Sequence, residues 1–194
     1  MLSYQDNKDG TILRSSDFPP ERQRVDELER EMRLMSSFDS MFSHAVAERA
    51  GMHSTDIETM DLLNVLGPMT AGQLSQMTGL SSGATTRLID RLARAGFVRR
   101  VPDETDRRRV HIEPIDENLE TIGQMYTPMA ESLGRLWASF SDEDLAVILR
   151  FVRESNAVVA AENARLRGQD RAPNFHANPP NPEHRLPHPS DQVR

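Results

Sequence analysis

The sequence predicts a mainly α-helical fold with one small β-hairpin. Three observations carry this expectation. Apolar residues recur at helical spacing, with helix-cap signals between them, across residues 21–166. Between Gly79 and Glu113 a glycine turn, a helix, a strand, a charged tip and a return strand follow in that order. Both ends are polar, and residues 168–194 carry six prolines, too little apolar surface to offset chain entropy. The expected organisation is a flexible N-terminal tail over 1–20, one folded unit over 21–166 and a disordered Pro-rich tail over 167–194.

Residues 21–50 place Val25, Leu28, Met32, Met35, Phe42 and Val46 on one helical stripe, with Gly51 as the stop. Thr55 with Glu58 reads as a capping box opening a helix that contains Ile57, Met60, Leu62, Leu63 and Leu66. Gly67–Pro68 ends it. Thr70 with Gln73 repeats the box for a short helix containing Leu74 and Met77. After the Gly79–Leu80 turn a second helix runs from about Ser82 to Ala95. A strand over Phe97–Val101, a tip over Pro102–Arg109 and a return strand over Val110–Ile112 make the hairpin, and Pro114 breaks it. This is the order of a helix-turn-helix followed by a wing.

Leu119, Ile122, Tyr126, Met129, Leu133, Leu136 and Phe140 then alternate steps of three and four on a long helix over about 117–140, with Pro128 expected to kink it. Ser141 caps a last helix, and Asp142, Glu143 and Asp144 suit its positive first turn. Leu145, Ile148, Leu149, Val152 and Val159 form its apolar side. The first and last two helices offer more apolar stripe than a small winged helix buries. That excess favours a dimerisation lobe, because two-fold DNA sites call for two recognition helices about one duplex turn apart.

Charge is divided unevenly. The chain holds 23 Lys+Arg and 30 Asp+Glu, a net charge of −7. Gly79–Glu113 holds eight arginines against five acids, so this stretch is +3 and the remainder −10. An acidic body around a basic face is compatible with DNA binding, since phosphates feel nearby charge more than screened, distant charge. No cysteine is present, which excludes disulfides, thiolate metal sites and thiol redox sensing. The N-terminus lacks an apolar signal core, and no apolar run approaches the ~20 residues a membrane helix needs. A cytoplasmic protein is expected.

With Leu88 and Leu92 facing inward, helical periodicity puts Thr85 and Ile89 near the same side. Ser82, Gly83, Ala84, Thr86 and Arg87 remain for the N-terminal and outer faces, the end that enters the major groove. Arg87 is the candidate for bidentate pairing with guanine. Ala84 offers a methyl contact to thymine. Ser82 and Thr86 offer phosphate or base-edge contacts, assisted by the free N–H groups of the first turn. Ser81 is open to two roles, DNA contact or helix N-cap. Arg91 is open to phosphate contact or plain solvation, and Arg94 to an i,i+4 pairing with Asp90. On the wing, Asp106 and Arg108 point the same way, so Asp106 is placed to hold Arg108 for the minor groove, with Arg107 turned elsewhere, toward phosphate.

These elements resemble the MarR family of bacterial transcriptional regulators. The matching stretches are Gly67–Thr70, Leu80–Leu92 (LSSGATTRLIDRL), Ala95–Arg100 (AGFVRR) and Asp103–Val110 (DETDRRRV), with the wing's Asp-x-Arg feature on Asp106 and Arg108. Ser141–Leu145 looks like the start of the family's last helix. The resemblance covers about residues 21–166. It implies a homodimer joined through its N- and C-terminal helices and bound to a pseudo-palindromic operator. It further implies a repressor released by a small aromatic or phenolic ligand. The return strand ends on Glu113–Pro114, where the family usually has an apolar residue and threonine. The family's effector pocket, between the dimer helices and the DNA-binding lobe, falls near His44, His53, Asp56, Met60 and Tyr126. Each of these also has an ordinary reading: a surface histidine, a helix-start charge, a core methionine.

Two other classes compete. An enzyme finds no support: there is no phosphate-binding glycine loop, no helical His-x₃-His pair and no nucleophile motif, so no catalytic residue, metal or cofactor is expected. His176, His184 and His188 in the tail lack a carboxylate frame and read as solvated. A helical protein-interaction module that keeps the winged fold without DNA binding is the other alternative. Arg87, Arg108 and the serine-rich helix start argue against it.

Overall fold

The computed structural model describes residues 19–103, 106 and 108–168. Of the tails expected at 1–20 and 167–194, residues 1–18 and 169–194, with the three tail histidines, lie outside the described residues, as does Arg107, whereas Pro20 already belongs to the first helix and Arg167 and Gly168 follow directly on the last. Six helices and three strands follow in the order α1 (Pro20–Ala50), α2 (Ser54–Leu66), β1 (Met69–Thr70), α3 (Ala71–Thr78), α4 (Ser82–Arg94), β2 (Val98–Pro102), β3 (Val110–Pro114), α5 (Asp116–Trp137) and α6 (Asp142–Leu166). The chain divides into two units, residues 1–45 and 46–194.

In the first unit Val25, Leu28, Met35, Phe38 and Met41 are all exposed. Burial on α1 begins only at Val46 and Ala47, within the second unit. There the core is built from Ile57, Met60 and Leu63 of α2, Leu74 of α3, Leu88, Ile89 and Leu92 of α4, and Val98 and Ile112 of the strands. These apolar positions are spaced to fall on one face of each element, which is why each element forms where it does. Thr59 and Thr85 are buried among them. Each hydroxyl donates back to the carbonyl one turn earlier, Thr55 and Ser81, so neither is left unsatisfied.

Three details depart from the sequence expectations. α2 is not opened by Thr55 and Glu58: its N-cap is His53, whose backbone N–H donates to the Asp56 carboxylate at 3.2 Å. An acid at the third helical position does the work there that Glu58 would have done one residue pair later. The hairpin is part of a three-stranded antiparallel sheet of order β1-β3-β2. Its added strand is only Met69–Thr70, opposite Ile112 and His111. β3 also runs on through Glu113 to Pro114, which sits opposite Val98. A proline is tolerated at this strand end, where a ladder N–H can be spared.

Thr70 and Gln73 do form the expected capping box. Gln73 N–H reaches Thr70 Oγ1 at 3.3 Å, and Thr70 N–H reaches Gln73 Oε1 at 2.8 Å. Ser141 caps α6, accepting from Asp144 N–H at 3.1 Å. Along α5 burial fades: Ile122 is buried, Tyr126 and Met129 are half-buried, and Leu133, Leu136 and Trp137 are exposed. On α6 only Ala160 and Ala164 are buried.

Candidate nucleic-acid interface

The helix-turn-helix is α3, the turn at Gly79–Ser81, and α4. Gly79 adopts the left-handed conformation (φ +74°) that ends α3. Ser81 then caps α4 by accepting from Ala84 N–H at 3.3 Å. Its hydroxyl therefore already serves the helix, the second of the roles open to it. Thr85, Leu88, Ile89 and Leu92 are buried and fix the rotation of α4. Thr85 is a full core residue. The opposite side presents Ser82, Gly83, Thr86 and Arg87, all exposed, with Ala84 half-buried beside them. Thr86 Oγ1 donates to Ser82 O at 2.9 Å, which leaves its oxygen lone pairs facing outward. A methyl built on Gly83 would lie 3.7 Å from Arg87 Nη1, so the guanidinium rests beside the start of α4.

The arginines of this region divide sharply by partner. Arg91 is held by the buried Asp56 of α2: its Nε donates to both carboxylate oxygens, at 3.2 and 3.0 Å, and Nη2 adds a third bond. That hydrogen bonding raises the Arg91 pKa further above its ordinary range. Arg100 pairs with Asp90, tying β2 to α4. Arg99 pairs with Glu113 directly opposite it on β3, at 3.1 Å. Arg94 Nε donates to the Asp90 carbonyl at 3.1 Å, not to its carboxylate. Among the described residues the side chains of Arg87 and Arg108 have no such partner.

The wing tip is organised by two aspartates. Asp103 Oδ1 accepts from Asp106 N–H at 2.9 Å, and its Oδ2 lies 2.8 Å from His111 Nε2. Asp106 Oδ1 accepts from the backbone N–H of Arg108 at 3.0 Å, and its Oδ2 lies 3.6 Å from Arg109 Nε. Asp106 thus fixes Arg108 through the backbone, as an Asx turn, and its ion pair goes to Arg109. This differs from a side-chain clamp on Arg108. The guanidinium of Arg108 is left exposed.

An exposed cation on the open face of α4, another at a braced hairpin tip, and free first-turn N–H groups make a surface for a polyanionic duplex. Residues 52–110 match the model of the MarR family. The uncharacterized HTH-type transcriptional regulator YcgE of Bacillus subtilis (strain 168) is 40% identical over 127 residues, 66% of this chain and 82% of that relative. This chain belongs to the MarR family. YsmB of the same organism, likewise an uncharacterized HTH-type transcriptional regulator, is 30% identical over 125 residues, 64% of this chain and 86% of that relative. Among solved structures, a MarR family protein from Bacillus stearothermophilus superposes with a TM-score of 0.54 at 27% identity, covering 73% of this chain and 99% of that one. S. aureus MepR in its DNA-binding conformation has the same fold, with a TM-score of 0.54 at 14% identity over 68% of this chain and 98% of that one. As a MarR-family member the protein is a DNA-binding transcriptional regulator of the winged helix-turn-helix type, from a family of regulators rather than enzymes.

Within this MarR-family frame the candidate residues separate. Ser82, Ala84, Thr86 and Arg87 share the accessible side of α4, and Asp106 and Arg108 sit together at the tip. Arg91 is bound to Asp56 through Nε and Nη2, with 40% of its side chain still exposed beside α4's open face. Asp56 is 2% exposed beneath that guanidinium. Met60 is core at 4% exposure. His53 is exposed at the start of α2, Tyr126 is half-buried on α5, and His44 is exposed within the first unit. Two structural residues escaped the sequence reading. His111 at the wing base carries a buried Nδ1 with no partner among the described residues, and Arg167 reaches α3 from the end of α6. The spacing Ala160, Ala164, Arg167 on one helical face is the signal that would have found the second.

Proposed function

We propose that this regulator is a homodimeric, cytoplasmic repressor that binds a pseudo-palindromic operator and is released by a small aromatic or phenolic ligand. The observation that carries the DNA-reading part is the division of the arginines. Self-pairing occupies Arg91, Arg99, Arg100 and Arg109, whereas Arg87 and Arg108 stay open on the two surfaces that meet adjacent grooves. Arg87 reads a guanine edge, Ser82, Ala84 and Thr86 contact backbone or bases beside it, and Arg108 enters the flanking minor groove. Arg107, next to it in the sequence, contacts phosphate. Dimerisation is supported by the exposed apolar residues of α1, α5 and α6, among them Phe38, Leu136, Trp137 and Phe151. Repression and release by an aromatic ligand rest on the family resemblance, with His53 and Tyr126 as the remaining candidates near such a ligand and His44 as a third.

The test is a titration of the purified protein against the intergenic DNA upstream of its own gene and against a random duplex, in rising salt, with sedimentation of the free protein. Preference for the upstream duplex, with affinity falling steeply in salt, supports an autoregulating dimer. Equal, weak binding to every duplex would instead favour a winged-helix module that serves a protein partner.

A further inference from the structure

We infer that Arg167 is a positioning residue for DNA recognition: it fastens the end of α6 to the turn of the helix-turn-helix and so fixes the angle between α3 and α4. The inference rests on the DNA-reading role proposed above and adds a residue to which neither the sequence motifs nor the family match assigns a part.

Arg167 follows α6 directly, and its Nη1 donates to the carbonyls of Gln76 and Met77 at 3.3 and 3.0 Å. Both carbonyls belong to the last turn of α3, where the helix itself supplies no N–H donor. The neighbouring Ser75 carbonyl is already served by Gly79 N–H at 2.9 Å. A cation at this end also opposes the negative pole of the helix. The rest of the guanidinium lies on Gly79. A methyl built there would come within 2.6 Å of Arg167 Cζ, 2.7 Å of Nε and 2.9 Å of Nη2. Glycine is required twice over, by its φ of +74° and by the guanidinium that occupies the space.

The turn is thereby held from two sides. Ser75 Oγ on α3 donates to the Leu80 carbonyl at 2.7 Å, and Arg167 grips the preceding residues from α6. Only Leu80 separates Gly79 from Ser81, the cap of α4. An eight-residue helix such as α3 is marginal by itself, so an external grip on its end decides how well it stays formed. On α6 the same face that bears Arg167 carries the buried Ala160 and Ala164, about two turns and one turn earlier. The contact thus continues the packed face of α6. At its end α6 is tied to the helix-turn-helix by the Arg167 guanidinium.

The full-length protein and its Arg167→Ala and Arg167→Lys variants are compared by hydrogen exchange and by binding to a duplex that the wild type enriches from a random-sequence pool. In Arg167→Ala the amides of Gly79–Ala84 exchange about tenfold faster, with the strands unchanged. Affinity for the enriched duplex falls about tenfold, with the sedimentation coefficient unaltered. Lysine restores part of both, because it returns the charge without the planar fork. Gly79→Ala is harmful in the wild type and about threefold less so on the Arg167→Ala background, where only the backbone strain remains. Unchanged exchange in Arg167→Ala overturns the inference. Faster exchange with unchanged affinity reduces Arg167 to a helix cap and also overturns it. If the wild type enriches no duplex, the DNA-reading proposal falls first and the positioning role falls with it. If the wild type enriches a duplex that Arg167→Ala binds equally well, only the positioning role falls.

Discussion

Asp56 and Arg91 stand 35 residues apart in the chain and meet as a two-pronged ion pair, Nε lying 3.2 and 3.0 Å from the two carboxylate oxygens. The two ends are not equivalent. The Asp56 side chain is 3% exposed and also accepts the His53 N–H, whereas 40% of the Arg91 side chain remains in solvent. Removing the arginine strands a buried carboxylate. Removing the aspartate leaves a cation that water can reach. Arg91→Ala is therefore expected to destabilise the fold by about 3 kcal/mol and Asp56→Ala by about 1–2 kcal/mol. Urea unfolding of both variants decides this. The reverse order would mean that the cap on α2 matters more than the pair.

Arg87 and Arg108 are expected to fail in different ways. Arg87→Ala should cost about 1–3 kcal/mol on the preferred duplex and little on random DNA, because a base contact is lost. Arg108→Ala should weaken binding most where the flanking sequence narrows the minor groove, and should lower the salt slope by about 1. Competition binding with flank-varied duplexes reads both. Equal losses on all sequences for both variants would place the two arginines on phosphates alone.

Asp106 should matter for affinity more than for stability. It sits at an exposed tip and positions Arg108 through a 3.0 Å backbone bond. Asp106→Ala is expected to weaken DNA binding by about fivefold, the scale of one hydrogen bond, with a melting temperature within about 2 °C of wild type. Fluorescence anisotropy and calorimetry test the two halves separately. A large fall in melting temperature would show that the tip braces the sheet itself.

Trp137 and Phe140 lie with ring centroids 6.4 Å apart at the far end of α5, both exposed, at 44% and 39%. Replacing Trp137 by glutamate places a charge where an apolar partner is expected. Sedimentation should then shift from dimer to monomer, and affinity for a two-fold duplex should fall at least about tenfold as one half-site is lost. A variant that remains dimeric would move the interface away from this end of α5.

What the sequence disclosed was periodic. α4 could be read because Leu88 and Leu92 set a face, and once that face was set Thr85, Ile89 and the exposed Arg87 followed. The capping box at Thr70 and Gln73 was legible for the same local reason. β1 was not, since two residues have no period. The cap at His53 was missed because the preference for Ser, Thr, Asp and Asn drew attention to Thr55. Long-range pairing was also out of reach. Arg91 lies one turn from Leu88, at the edge of the buried stripe, and nothing local distinguishes a guanidinium that will meet phosphate from one that will meet Asp56 across the fold. Counting arginines therefore overstated the charge available to DNA, because four of the eight pair with the protein's own carboxylates.

Thr70 holds two offices in one residue. It sits opposite His111 in the sheet that carries the wing, and it caps the first helix of the helix-turn-helix. The wing and that helix consequently share a fulcrum. A duplex that pressed on the hairpin through its minor groove would load the same residue from which α3 springs. Wing and helix would then answer a site with wrongly spaced grooves together, and duplex shape would be felt by leverage where no base is touched.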